Sequence, residues 1–181
     1  MFPTTRTSKS WGSNMQYLNV PKRKLYLFAK ESNEIEGIHD KQRHKDHAAS
    51  LSWLLNKDDL TVSVLEEFVH GVAWGSPLRT LPNHIVRVGM HVPPPPHISQ
   101  VQLKELLEKV VKSPMYAREL AWETHVEYER IHPFMDGNGR SGRAIWLWIM
   151  VRGLNWGFRY SFLHEYYYQT LSYSKGRDHR V

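Results

Sequence analysis

Between two helical stretches the chain reads His132-Pro133-Phe134-Met135-Asp136-Gly137-Asn138-Gly139-Arg140-Ser141-Gly142-Arg143. No other segment restricts the fold as much. Pro133 cannot continue a helix that runs into it, so the preceding helix ends beside His132. The four residues Asp136-Gly137-Asn138-Gly139 call for a tight backbone turn, and the apolar run Ala144 to Val151 calls for a buried helix directly afterwards. The chain must therefore build a helix, a glycine-lined turn and a second helix whose amino end faces that turn. Backbone amides at such an end point outward, and the helix dipole favours negative charge there.

The side chains around the turn suit phosphate chemistry. Arg140 and Arg143 are fixed cations able to hold phosphate oxygens in bidentate fashion. Asp136 reads either as a salt-bridge partner of these arginines or as the single carboxylate that places Mg²⁺ beside bound phosphates. His132 sits at the end of the preceding helix, where a neutral imidazole can take the proton from an attacking hydroxyl. Phe134 is expected to enter the core and anchor the loop. Taken one at a time, His132 reads as a structural helix-end histidine and either arginine as a surface charge; the joint spacing favours a site for a nucleoside triphosphate. Gly137-x-Gly139-x-x-Gly142 also satisfies the dinucleotide fingerprint, but a charged helical stretch precedes it where a strand is required. The Asp-Gly and Asn-Gly pairs are hairpin signals as well, and the helical character from Ala144 onward argues against a hairpin.

The rest of the chain reads as helices with one small β element. A tail, Met1 to about Val20, precedes a helix over Lys24 to Glu36 that stops at Gly37. Arg43 to Leu55 reads as a second helix, and Thr61 as the N-cap of a third that runs to about Trp74. Ile85 to Val92 is β-branched and partly alternating, which predicts a short strand or hairpin arm, ended by the rigid turn Pro93 to Pro96. Ser99 is expected to start a helix, and Ser113-Pro114 to cap another over Met115 to Ile131. A last helix is expected over Tyr166 to Leu171. No internal repeat is visible.

Composition excludes several function classes. There is no cysteine, hence no disulfide, thiolate nucleophile or thiolate metal site. No apolar run approaches the ~20 residues that span a bilayer. Met1 to Gln16 is polar and lacks the apolar stretch of a secretory signal, so a cytoplasmic setting is expected. The net charge of +6 favours anionic partners, yet outside Lys22 to Lys24 and Lys41 to Lys45 the charges are scattered, which argues against a dedicated nucleic-acid surface. His39, Asp40, His44 and His47 are metal-ligating residue types, but Lys41, Arg43 and Lys45 between them favour a solvated helix face. The seven tryptophans, with Trp146 and Trp148 in the apolar helix, are expected in the core.

The segment His132 to Arg143 resembles, at all eight defined positions, the pattern H-x-F-x-(D/E)-G-N-G-R-x-x-R of the Fic family. The likeness extends to His125 and Tyr128 ahead of the motif, to Tyr167-Tyr168-Gln169-Thr170-Leu171 after it, and to Arg79 with Ile85 to Pro94, which looks like the family's flap. It covers roughly residues 24 to 171. The resemblance implies an all-α domain over 38–175 with a small β-hairpin flap, preceded by a tail (1–23) and an inhibitory helix (24–37) and followed by a tail (176–181). It implies transfer of AMP from ATP, with Mg²⁺, to a Ser, Thr or Tyr hydroxyl of a target protein, releasing pyrophosphate. His132 is then the general base and Asp136 the Mg²⁺ ligand; Gly137, Asn138 and Gly139 form the phosphate turn. Arg140 steadies the loop and contacts phosphate, Arg143 holds the γ-phosphate, and the flap residues Val86, Arg87, Val88 and Gly89 bind the target. Small relatives often pair, so a homodimer is a candidate assembly.

Ser32-Asn33-Glu34-Ile35-Glu36-Gly37 fits the family's inhibitory pattern (S/T)-x-x-x-E-(G/N). Ser32 and Glu36 lie four apart on one helix face, and the resemblance implies that Glu36 pairs with Arg143 and fills the γ-phosphate space. Two departures bear on specificity: the flap carries four prolines, and His164-Glu165 stands where an arginine or asparagine is usual near the adenine. Two rivals remain. One is removal of AMP by water, or another nucleotidyl or phosphoryl transfer, in the same site; the other is a non-catalytic basic module that merely holds a nucleotide or a nucleic-acid phosphate.

Overall fold

The computed structural model describes residues 20–116 and 118–153. Six helices follow one another: α1 (Lys22–Ile35), α2 (Lys41–Leu55), α3 (Val62–Val72), α4 (Pro96–Val111), α5 (Arg118–Ile131) and α6 (Asn138–Arg152). The described residues contain no strand beyond two isolated bridges, so the fold is all-α as expected. None of these helices is long and apolar enough to cross a membrane. The expected helix over Tyr166 to Leu171, the Tyr167 to Leu171 stretch, His164-Glu165 and both tails up to Asn19 and from Leu154 lie outside the described residues.

Local chemistry explains the helix ends. The Pro21 carbonyl accepts from Lys24 N (2.8 Å) and Leu25 N (3.2 Å), which starts α1 two residues before its apolar pattern does. At the other end Gly37 takes φ +71°, a conformation that only glycine adopts cheaply. Gly37 N then reaches the Glu34 carbonyl (3.0 Å) and Ile38 N the Asn33 carbonyl (2.9 Å), the paired bonds of a Schellman stop. Glu36 is thereby fixed as the C-cap, directly after the last residue of the helix. Asp40 caps α2 through Arg43 N (2.8 Å), and Thr61 caps α3 through Val64 N (3.2 Å). α4 opens at Pro96, which needs no partner for its missing N–H.

Three sequence expectations fail here. Ser99 is no cap; it lies buried in the first turn of α4 and its hydroxyl donates to the Ile131 carbonyl at 2.8 Å. Ser113 bonds the Met115 carbonyl (2.8 Å) in a local turn, and α5 begins only at Arg118. Ile85 to Val92 forms no ladder: the single pair Val88–His91 closes around Gly89 and Met90. Its apolar side chains stay in water, with Ile85 75%, Met90 92% and Val92 64% exposed. An unsupported two-stranded ribbon gains too little burial to persist, and the prolines that follow offer no N–H to extend one.

α6 is the centre of the domain. It touches α1, α2, α3 and α5 and buries residues almost all the way round, which is why its apolar pattern shows no clear stripe. Trp148 is fully buried, and Trp146 stacks on Phe28 at 6.3 Å and 8°. Trp74 departs from the core expectation, since it is 76% exposed with the Arg43 guanidinium 4.1 Å above its ring. Close approach of α5 to α6 depends on Gly142: a Cβ there would lie 2.8 Å from Glu129 Oε1 and 3.0 Å from both His125 and Tyr128. Gly142→Ala is accordingly expected to lower Tm by roughly 2–10 °C, through overpacking of about 1–3 kcal/mol, measured by thermal unfolding.

Candidate active site

The motif loop connects the carboxyl end of α5 to the amino end of α6, and its neighbours determine its shape. His132 follows the last residue of α5 with φ +47°, a conformation uncommon outside glycine. Arg79 holds it there. This buried guanidinium donates from Nη1 to the carbonyls of His132 (2.8 Å) and Ile131 (3.4 Å), from Nη2 to Pro94 (2.7 Å) and from Nε to His84 (3.0 Å). The Arg79 amide also reaches the Pro133 carbonyl (2.8 Å). His91 Nε2 donates to the Arg130 carbonyl at 2.8 Å. The last carbonyls of α5, which lack partners within the helix, are thus satisfied by the flap and by Ser99. A positive side chain at this end also matches the helix dipole. Burial pulls the Arg79 pKa below the usual arginine value.

Asn138 closes the loop from the other side. Its Oδ1 accepts from Phe134 N (2.9 Å) and its Nδ2 donates to the Phe134 carbonyl (2.8 Å), both buried. The side chain is therefore committed to the loop, and only the Asn138 backbone remains to face a ligand. Phe134 is fully buried, as expected. Gly137 has φ +83°, and a Cβ on it would lie 2.7 Å from Ala73 Cβ, so both its conformation and its packing require glycine. Ser76 Oγ accepts from Asp136 N at 2.7 Å.

Both arginines of the motif are buried, and they serve different ends. Arg140 donates to the Val72 carbonyl at the end of α3 and pairs with Asp136 Oδ2 at 3.2 Å. It ties α3 to the loop, in keeping with a steadying role. Burial lowers its pKa, while Asp136 and Glu36 act in the opposite sense and Arg43 adds to the lowering. Arg143 turns toward α1. Its Nε donates to Ser32 Oγ (2.8 Å), and its Nη2 donates to the Ser32 carbonyl (2.8 Å) and to Glu36 Oε1 (2.6 Å). The Glu36 carboxylate lies against the first turn of α6: a Cβ built on Gly139 would collide with Glu36 Oε1. The expected Glu36–Arg143 pair is present, and a carboxylate occupies the anion position at the helix amino end.

Behind the loop, Tyr128 OH meets Ser141 Oγ at 2.7 Å, and burial holds the tyrosine pKa well above its ordinary value. His125, fully buried with Arg143 nearby, has its pKa pushed down to about 3 and stays neutral. Asp136 keeps a 70% exposed side chain. Among the described residues no group of three or more His, Asp or Glu side chains converges as a metal cage. One exposed carboxylate beside an anion position fits Mg²⁺, which keeps most of its water and arrives with phosphates.

The histidines of α2 overturn a sequence reading. His44 and His47 do not line a solvated face. They are 2% and 1% exposed and both bond Asn33 of α1. The flap residues Val86, Arg87, Val88 and Gly89 sit on the segment that Arg79 and His91 fasten to the end of α5. Sequence reasoning gave Arg79 no role beyond marking the flap, and missed Ser76, His91 and Asn33 as loop or helix anchors. Each acts through a backbone atom or a long-range partner, which no local spacing signals.

A profile of the Fic/DOC family matches residues 59–150. No curated protein matches the chain. Among solved structures, a Fic domain containing signaling protein from Bacteroides thetaiotaomicron is similar with a TM-score of 0.65 at 22% identity, over 83% of this chain and 70% of that one. A Fic family protein from Desulfovibrio desulfuricans has a TM-score of 0.67 at 18% identity, over 88% of this chain and 60% of that one. Likeness at such identity speaks for the fold, and the match over half the chain, centred on the loop just described, speaks for descent: this chain belongs to the Fic/DOC family.

Proposed function

We propose that this protein is an adenylyltransferase: it moves AMP from ATP to a Ser, Thr or Tyr hydroxyl of a target protein and releases pyrophosphate. The observation that carries the reading is the amino end of α6, where Gly139 and the guanidinium of Arg143 border a position already filled by the Glu36 carboxylate. A site that holds Glu36 in this way suits a phosphate of similar charge. In the reaction, the target hydroxyl oxygen bonds to the α-phosphorus as the bond to the pyrophosphate oxygen breaks. His132 takes the hydroxyl proton, and its fixed backbone at the end of α5 keeps the imidazole in place. Arg143 and the α6 amides hold the phosphates in line, so catalysis rests on positioning and charge. Arg140 contributes by securing the loop and orienting Asp136. Asp136 would hold Mg²⁺, which supplies neutralisation of the phosphate oxygens. The flap, anchored through Arg79 and His91, would lay the target segment beside His132.

Glu36 would restrain this activity, since its carboxylate must leave Arg143 before a γ-phosphate can take its place. The setting proposed is the cytoplasm, where ATP and Mg²⁺ are available. The reading is tested with ATP labelled at the α or the γ position, in Mg²⁺ and with the Glu36→Gly protein. Label is expected to reach protein from the α position only and to be lost in EDTA. Label from the γ position would replace the proposal with phosphate transfer. Free AMP from a modified target without forward labelling would replace it with the reverse reaction.

A further inference from the structure

Asn33 stands one residue after Ser32 and three before Glu36, yet its side chain serves neither the motif nor solvent. It is 2% exposed and bonded to α2. Nδ2 lies 3.2 Å from the Arg43 carbonyl and 3.1 Å from His44 Nδ1, and Oδ1 lies 2.9 Å from His47 Nδ1. These contacts determine where the protons are. A carbonyl only accepts, so the amide nitrogen must face Arg43 and the group cannot be flipped. Its second hydrogen points to His44 Nδ1, which must offer a lone pair; His44 therefore carries its proton on Nε2. Asn33 Oδ1 accepts, so His47 carries its proton on Nδ1. His47 Nε2 is buried with no hydrogen-bond partner among the described residues. The arrangement requires a neutral His44 with its proton on Nε2, and a His47 with a proton on Nδ1.

We propose that Asn33, gripped by His44 and His47, is the positioning residue that sets Ser32 and Glu36 against Arg143, so that this latch between α1 and α2 determines how often the phosphate site opens. The inference rests on the reading of Glu36 as the restraint. Two features favour Asn33 as the fulcrum. Its backbone carbonyl accepts from Ile38 N in the turn that fixes Glu36, so the residue anchors that turn by main chain and side chain alike. The Glu36 side chain is 29% exposed at a helix terminus, where fraying is cheapest, whereas the Asn33 bonds to His44 and His47 are buried and costly to leave unmade.

Protonation opposes the latch. A second proton on His44 would set N–H against the Asn33 amide N–H. Burial lowers the His44 pKa; Glu34 and Asp40 act to raise it, Lys30 and His39 to lower it, and the Tyr26 ring meets it edge-on. Burial lowers His47 further, with Arg143, Arg140 and His44 adding to the effect and the Phe68 ring packed on its edge. Both latched values lie below the ordinary ~6.5, so the open form binds more protons in that window. Latch stability is fully present above about pH 6.5 and declines as the pH falls toward the latched values.

The test compares wild type, Asn33→Ala, Glu36→Gly and the double variant by labelling from Mg²⁺-ATP, and follows amide exchange over α1. Asn33→Ala is expected to raise labelling on the order of tenfold in the wild-type background. It should change nothing further in the Glu36→Gly background, and α1 amides should exchange faster. The ratio of wild-type to Glu36→Gly labelling, which cancels any pH effect on the chemistry itself, should rise as the pH drops from 7.5 to 6. Asn33→Ala should flatten that rise. Equal loss of labelling in both backgrounds, or unchanged exchange over α1, would overturn the latch. Faster exchange with no activation by either variant would uphold the latch and sink the restraint reading instead.

Discussion

Replacing Glu36 by glycine is expected to raise Mg²⁺-ATP-dependent labelling of protein by roughly 10- to 150-fold, the factor that about 1.5–3 kcal/mol of charge-assisted hydrogen bonding represents. The contact removed is short, 2.6 Å, and its arginine is fully buried while the carboxylate keeps 29% exposure. Arg143 would retain Ser32 Oγ and the Ser32 carbonyl, so it should stay in place and not collapse into the core. The variant takes the Glu36 carboxylate away from a buried guanidinium, which should lower Tm in the absence of nucleotide. Mg²⁺-ATP should then raise Tm more in the variant than in wild type, because a ligand that fills the vacated anion position stabilises the folded form by mass action. Equal nucleotide-induced shifts in the two proteins, together with equal labelling, would mean that Glu36 restrains nothing.

Loss of the His132 imidazole should have the opposite and larger effect. In the Glu36→Gly background, His132→Ala is expected to reduce labelling by about 10²- to 10⁴-fold, the usual contribution of a positioned general base. The backbone needs separate attention, since His132 has φ +47°. Asparagine tolerates that region better than alanine, so His132→Asn tests the imidazole with less backbone strain. Both variants should bind Mg²⁺-ATP as the parent does, measured by calorimetry, because Arg143 and the α6 turn are untouched. Labelling retained in His132→Asn at more than a tenth of the parent rate would assign the base to another group.

Much of this site was legible before any coordinates. Pro133, the glycines and the two arginines act over a dozen consecutive residues, where covalent spacing alone limits the geometry. Gly37 was equally readable, since a helix stop is a local property, and Glu36 was legible through its place in the family's inhibitory pattern. Boundaries failed where local signals competed: Ser99 and Ser113 look like caps in sequence, and one hydroxyl went to the Ile131 carbonyl and the other to a turn. The flap failed as a strand because a β-branched pattern shows propensity and cannot show whether any surface will bury it.

By itself, the sequence determined that a helix must end beside His132, that a tight glycine turn must follow, and that a buried helix must come next. Those are consequences of proline, glycine and apolar periodicity, and they act within a turn or two. Only the tertiary structure decided that Arg79 caps α5, that Asn138 spends its side chain on Phe134, and that Asn33 meets two histidines of α2. Each of these groups is buried, and a buried polar atom must find a partner wherever the packed chain supplies one. That partner is chosen by the three-dimensional arrangement of the helices, 52 residues away for Arg79 and Ile131 and 14 for Asn33 and His47.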